Sequence, residues 1–210
     1  MSALFLSAFV TLFLVIDPPG CAPIYAGLVS GATPAQARSM ALRAVLIASA
    51  ILVAFALFGE QLLAALHIDL DAFRIAGGIM LFMIAIDMVF EKRTQRREQR
   101  AEKVRAESHA VAPQVEDVSV FPMAMPMLAG PGAIASIMLL MARSDGTEAT
   151  LVVLAALAAV MAITLLSLVA AGPLMRLLGS QTEAVLTRLL GVLLAALAAQ
   201  YVIDGIKAQF

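Results

Sequence analysis

The sequence predicts an all-α polytopic membrane protein: six transmembrane helices forming two inverted three-helix repeats, with the first and fourth helices discontinuous. Three observations carry that expectation. The 210-residue chain is 62% apolar and only 14% charged, with a mean hydropathy of +0.96, whereas soluble domains carry about 25% charged residues. Its apolar residues fall into six runs, each long enough for a bilayer core of about 30 Å, which takes roughly 20 residues of helix. Six of its nine prolines crowd into two of those runs at matching places.

The first run extends from about Ala3 to Val29, the second from Leu42 to Leu63 and the third from Phe73 to Phe90. No Lys or Arg precedes the first run, so it reads as a span rather than a cleaved signal. The remaining runs are Val120 to Ala142, Ala149 to Ala171 and Ala184 to Ile203. One transmembrane domain over 1–210 is expected, with repeat 1 at about 3–90, a charged loop at 91–119 and repeat 2 at about 120–203.

Orientation follows from the bias of Lys and Arg. The segment Glu91 to Glu107 holds seven basic residues, and Arg38, Arg43, Arg176 and Arg188 fall at the same ends of their spans. Placing that loop in the cytoplasm puts eleven of fourteen basic residues inside and makes both termini face outward. The exceptions are Arg74, Arg143 and Lys207. Four acids alternate with the loop's basic residues, so it reads as a solvated face that meets lipid headgroups.

Composition excludes several functions. The net charge of −1 gives no footprint for nucleic acid. Cys21 is the one cysteine, and His67 and His109 lie outside the apolar runs, so neither a disulfide nor a metal site has a visible ligand set. No cofactor is implied, and without a Walker motif ATP is not the direct energy source.

Three spans on each side of the loop require related halves to be inverted. Pro19-Gly20 recurs as Pro131-Gly132, 112 positions on, and Arg74-Ile-Ala-Gly77 recurs as Arg188-Leu-Leu-Gly191, 114 positions on. The proline windows are Pro18, Pro19, Pro23 and Pro122, Pro126, Pro131, accompanied by Gly20, Gly27, Gly130 and Gly132. Interior proline costs a helix about 3 kcal/mol, so span one should break near Pro18 and span four over Leu128 to Ala133. From Ala3 to Asp17 is about 21 Å of helix, well inside the core. Non-helical backbone at that depth survives only where protein or a wet cavity satisfies it.

Paired breaks in inverted halves point to a transporter's binding site. Each exposes a half-helix N-terminus that favours an anion, which suits a carboxylate or zwitterion as the small-molecule substrate. The expected binding residues are Asp17, Pro18, Gly20, Cys21, Pro23, Gly130, Pro131, Gly132 and Ser136. Asp17 costs about 2.5–3.5 kcal/mol at bilayer centre unless it faces a cavity or partner. It reads equally as the N-cap before Pro18 and as a titratable group for substrate or protons. Asp87 and Gln200 end their runs, either solvated at the interface or lining a gate or proton path. Arg43 either snorkels to the interface or pairs with a carboxylate such as Asp87. Gly27-x-x-x-Gly31, with Ala155, Ala159, Ala195 and Ala199, permits close helix contact, internal or in a homodimer.

With Ile16-Asp-Pro-Pro-Gly-Cys-Ala-Pro-Ile-Tyr25 and Pro126-Met-Leu-Ala-Gly-Pro-Gly-Ala-Ile134 in hand, the whole chain resembles the MarC family of bacterial inner-membrane proteins. That family is similar in organisation to the LysE-type exporters and is grouped with small neutral amino-acid transporters. Asp17, Pro18, Gly20 and Pro23 match its first motif; Cys21 stands where the family usually has Asn, and Tyr25 where it has Phe. The resemblance implies a secondary transporter of small solutes, neutral amino acids among them. The alternatives are a non-transporting membrane scaffold and an intramembrane enzyme using Asp17 with Asp87. The enzyme is disfavoured because Asp87 is expected near one interface, away from the breaks.

Overall fold

The computed structural model describes residues 1–90, 117–144 and 146–209. Most of the charged loop, 91–116, lies outside the described residues. Among these residues eight helices follow in order: α1 Ser2–Ile16, α2 Pro18–Leu28, α3 Pro34–Ala65, α4 Leu70–Val89, α5 Ser119–Leu128, α6 Pro131–Ala142, α7 Thr147–Val169 and α8 Ala171–Gln209. Among them five stretches are long and apolar enough to cross a membrane, and α5 with α6, bent by 54°, is either one further broken span or a re-entrant loop.

Local chemistry accounts for the boundaries. At α3, Thr33 and Gln36 form a reciprocal capping box, Gln36 N donating to Thr33 Oγ1 at 3.3 Å and Thr33 N to Gln36 Oε1 at 2.9 Å. Pro34 takes the first helical position. The helix therefore starts two turns before the apolar run at Leu42, and its 32 residues reach about 48 Å, beyond the bilayer core. Helix α8 likewise begins at Ala171 rather than Ala184, and its membrane-spanning window is Thr187–Ala208.

Span four departs from its expected form. The irregularity covers all of α5 instead of Leu128 to Ala133 alone. Phe121 and Met125 are extended, at φ −127°, ψ 128° and φ −131°, ψ 126°, because each precedes a proline whose ring excludes the helical conformation. Both X-Pro bonds are cis. Between them the amides reach back five residues, Met123 N to Val118 O at 3.2 Å and Ala129 N to Ala124 O at 2.9 Å.

Helices α1 and α2 pack on α7, and α5 and α6 pack on α3, while α3 also meets α7. Helix α2 touches α8, and α6 touches α4. The most extensive contact is the antiparallel seam of α4 and α8. There a Cβ on Gly78 would come to 2.9 Å from the Ala198 carbonyl oxygen, on Gly191 to 3.2 Å from that of Ala85, and on Gly205 to 3.1 Å from that of Asp71. A Cβ built on Gly27 or Gly31 would meet open space instead, so among the described residues that pair makes no close helix contact.

One core runs through the bundle, with Leu12, Ile16, Leu52, Leu81, Met123 and Leu157 fully buried. Leu6, Leu46, Phe58, Phe82, Leu151 and Leu193 face outward, as lipid-facing side chains do. Met1 and Phe5 share a pocket with Glu148 and Leu151, so the N-terminus and the α6–α7 turn lie at one end. Arg43, Asp87 and Asp117 lie at the other.

Candidate functional site

The first break is a single residue. Asp17 sits in the left-handed region, φ 56° and ψ 64°, a conformation that Asp tolerates better than most residues. Its N–H closes α1 on Phe13 O at 2.9 Å, and its carbonyl opens α2 by accepting from Cys21 N at 3.1 Å. Its carboxylate accepts from Gly20 N at 3.2 Å. Asp17 thus combines a left-handed C-cap with a side-chain N-cap, and it is only 2% exposed. The capping reading is present in the structure.

The residues around it follow from that turn. Pro18 takes the first helical position, where no N–H is needed. Pro23 lies inside α2. The Cys21 thiol is fully buried and donates to Ile16 O at 3.5 Å, covering a carbonyl that the end of α1 leaves without a helical partner.

The second break is built differently. Gly130 caps α6, with no side-chain hydrogen bond, and Pro131 follows as its first residue. A Cβ on Gly130 would lie 2.4 Å from the Pro126 carbonyl oxygen, so α5 folds back too closely for any side chain there. A Cβ on Gly132 would lie 2.4 Å from Ile84 Cδ1 and 3.4 Å from Val15 Cγ1. The start of α6 therefore abuts the end of α1, and the two breaks are neighbours.

Pro131 and Gly132 also line a cavity of about 510 Å³ with Met80, Met83, Ile84, Ile86 and Asp87. The expectation that Asp87 stands away from the breaks is corrected here. The bend after α5 carries the N-terminus of α6 down beside the second half of α4, and Asp87 shares its cavity. Ser136, one turn beyond Gly132, is fully buried, and its hydroxyl has no hydrogen-bond partner among the described residues.

Arg43 takes the second of its expected roles, pairing with a carboxylate, but the partner is Asp117 rather than Asp87. Its Nη1 donates to Asp117 Oδ2 at 2.6 Å, and Nη2 donates to Ser39 Oγ at 3.2 Å. Ser119, whose backbone N–H donates to Oδ1 at 3.0 Å, and then the Arg43 charge hold the Asp117 carboxyl below the usual carboxylate range. Nearby, the Tyr25 hydroxyl donates to the Ala37 carbonyl. Gln200 does not stand alone either: its Nε2 donates to Asp204 Oδ1 at 2.6 Å, and Asp204 Oδ2 accepts from Arg143 at 2.7 Å.

Asp117, Arg143, Tyr201 and Asp204 escaped the reading of the sequence. The available signal was a charged residue at each end of span four, Asp117 and Arg143, with a partner of opposite sign in another span. Among the described residues, no group of three or more His, Cys, Asp or Glu is placed to hold a metal ion.

The family profile described as "MarC family integral membrane protein" matches residues 2–210. The chain is 35% identical over 203 residues to a UPF0056 membrane protein of Methanocaldococcus jannaschii, covering 97% of this chain and 96% of that one. It is 33% identical over 210 residues to the UPF0056 membrane protein YvbG of Bacillus subtilis, covering 100% and 97%. It is 32% identical over 202 residues to the UPF0056 inner membrane protein YhgN of Escherichia coli, covering 96% and 95%. No solved structure matches it.

Proposed function

The chain belongs to the MarC family of integral membrane proteins, and we propose that it is a secondary transporter. It carries small zwitterions, neutral amino acids foremost, across a bacterial inner membrane and binds them between the two helix breaks. The observation that carries this reading is the meeting of the breaks themselves, where a Cβ on Gly132 would come within 3.4 Å of Val15 Cγ1 at the end of α1. Two interrupted spans meeting inside an apolar bundle are costly unless the freed backbone groups serve a polar ligand.

The packing supports two inverted repeats. Both parts of span one lie on α7, and both parts of span four lie on α3; α2 meets α8 as α6 meets α4. Exchanging the halves exchanges these contacts, while the antiparallel α4–α8 pair maps onto itself. The loop end then faces the cytoplasm, and both termini face the periplasm.

The breaks divide the work between them. At α2 the chain's own carboxylate, Asp17, already occupies the anion position of the helix N-terminus. At α6 that position is capped only by glycine, so the substrate carboxylate goes there. Asp17 and Asp87 supply negative charge for the ammonium group. Ser136 adds a hydroxyl, and the solute leaves chemically unchanged.

The test is reconstitution into liposomes with labelled neutral amino acids, with and without a pH gradient. Saturable uptake competed by an unlabelled zwitterion is expected. A protein that moves no small solute under any imposed gradient ends this reading in favour of a scaffold.

A further inference from the structure

At the end of the bundle that carries Met1, one guanidinium ties three elements together. Arg143, just past α6, pairs with Asp204 of α8 at 2.7 Å and lies 4.9 Å from the centre of the Tyr201 ring. Gln200 holds the other oxygen of Asp204 at 2.6 Å. Tyr201 is 2% exposed, and its helix also packs on α1. The cluster thus joins the end of the second broken span to α8, which in turn meets the first broken span.

Beneath this cluster the core is polar where it has no need to be. Ser136 lies on α6 about 10 Å below Arg143, at 1.5 Å per residue, and its buried hydroxyl has no partner among the described residues. Helices α1 and α6 both run between the breaks and this end, in opposite chain directions. Thr11 and Ser136, each one turn from the Val15–Gly132 contact, therefore stand at about the same level. Thr11 is 1% exposed and Ser136 fully buried. An unpartnered hydroxyl in an apolar interior is penalised, and its persistence is explained when a polar visitor satisfies it.

We infer that Arg143, Asp204 and Tyr201 form the closure over the route from this end to Ser136 and the two breaks. The identity of what passes rests on the transport reading above; the closure itself concerns access. In the closed state the Arg143–Asp204 pair and the cation–π contact hold the end of α6 against α8. Opening separates them and admits water to Ser136.

The test measures labelling of a thiol. Full-length protein carrying Cys21→Ser and Ser136→Cys is placed in lipid nanodiscs, with both faces reachable, and exposed to a charged methanethiosulfonate reagent. Slow labelling is expected with the cluster intact. Asp204→Asn, which removes the ion pair, should raise the rate about threefold. Arg143→Gln, which removes the cation–π contact as well, should raise it about tenfold, in keeping with the size of such contacts. The exchanged pair, Arg143→Asp with Asp204→Arg, restores the ion pair without the cation–π contact and should label more slowly than Arg143→Gln, and Arg43→Gln at the opposite end should leave the rate unchanged.

Equal rates in all backgrounds overturn the inference. So does an increase with Arg43→Gln as large as that with Arg143→Gln, because the effect is then general loosening. Monodispersity on size exclusion qualifies each variant, and Asp204→Asn serves if Arg143→Gln fails to fold. A protein that moves no solute but labels in this pattern retains the closure while the transport reading falls.

Discussion

Asp17 occupies the space that a side chain at Gly20 would need. A Cβ on Gly20 would stand 2.2 Å from Asp17 Oδ2, while the Gly20 amide donates to Oδ1 at 3.2 Å. Carboxylate and glycine therefore form one unit. Gly20→Ala is expected to displace the carboxylate from the amide and cost about 1–2 kcal/mol, the scale of a lost N-cap. A lowered unfolding temperature in detergent checks this; an unchanged one removes the steric argument.

Asp17→Asn separates the cap from the charge. Asn caps a helix about as well as Asp and also tolerates the left-handed conformation. Thermal stability should stay within about 0.5 kcal/mol of the parent, as for substitutions that break no structural feature. Proton-driven uptake into proteoliposomes should fall at least about tenfold if the carboxylate binds the ammonium group or carries the proton, the loss expected for a charged contact worth about 1.5–3 kcal/mol. Full uptake by this variant reduces Asp17 to a cap.

The glycines of the second break should differ in their tolerance. At Gly132 an added methyl meets the tip of Ile84, which can swing away, and touches Val15 at 3.4 Å. Gly132→Ala should fold and transport weakly, and Gly132→Val should reach the membrane but transport nothing. At Gly130 the methyl meets the Pro126 carbonyl oxygen at 2.4 Å, a backbone atom that moves only if the bend reopens. Gly130→Ala should therefore be the less stable of the two alanine variants, read by thermal unfolding.

The Arg43–Asp117 pair gives a signed pH dependence. The Asp117 carboxyl is held below its ordinary value by Ser119 and then by Arg43. A depressed folded-state pKa stabilises above the unfolded value, about 3.9 for Asp, and that contribution is lost as pH falls through the lower folded value. The stability difference between the parent and Asp117→Asn should stay constant from pH 7 to about pH 5 and shrink below about pH 4. Both side chains are about half exposed, at 58% and 45%, so the difference should be small and weaken with salt. A difference that grows on acidification contradicts the assignment.

What was legible in the sequence was local. Asp17 before Pro18 announces the end of one helix and the cap of the next within a few residues, so neighbouring positions suffice to place the break. The prolines at 122 and 126 were equally visible. Their effect extends over the whole of α5 because each constrains its predecessor, a coupling that a search for a single break overlooks. Asp87 beside Pro131 and Arg43 beside Asp117 were not legible. Those meetings depend on how α6 is carried against α4 and how the chain enters span four, and no spacing encodes either. The recurrence of Pro19-Gly20 as Pro131-Gly132 marked both breaks but not the side chains that face each other across them.

The seam of α4 and α8 has a mechanical consequence. At Gly78, Gly191 and Gly205 the space a side chain would need is filled by the facing helix, both by its side chains Val202, Met88 and Ile75 and by its carbonyl oxygens. Helices interlocked this closely at three heights do not slide readily past one another. The two helices therefore behave as a single post, one from each half of the chain. Any alternation between the two faces of the membrane has to come from the shorter rods, α1, α2, α5 and α6, pivoting against it.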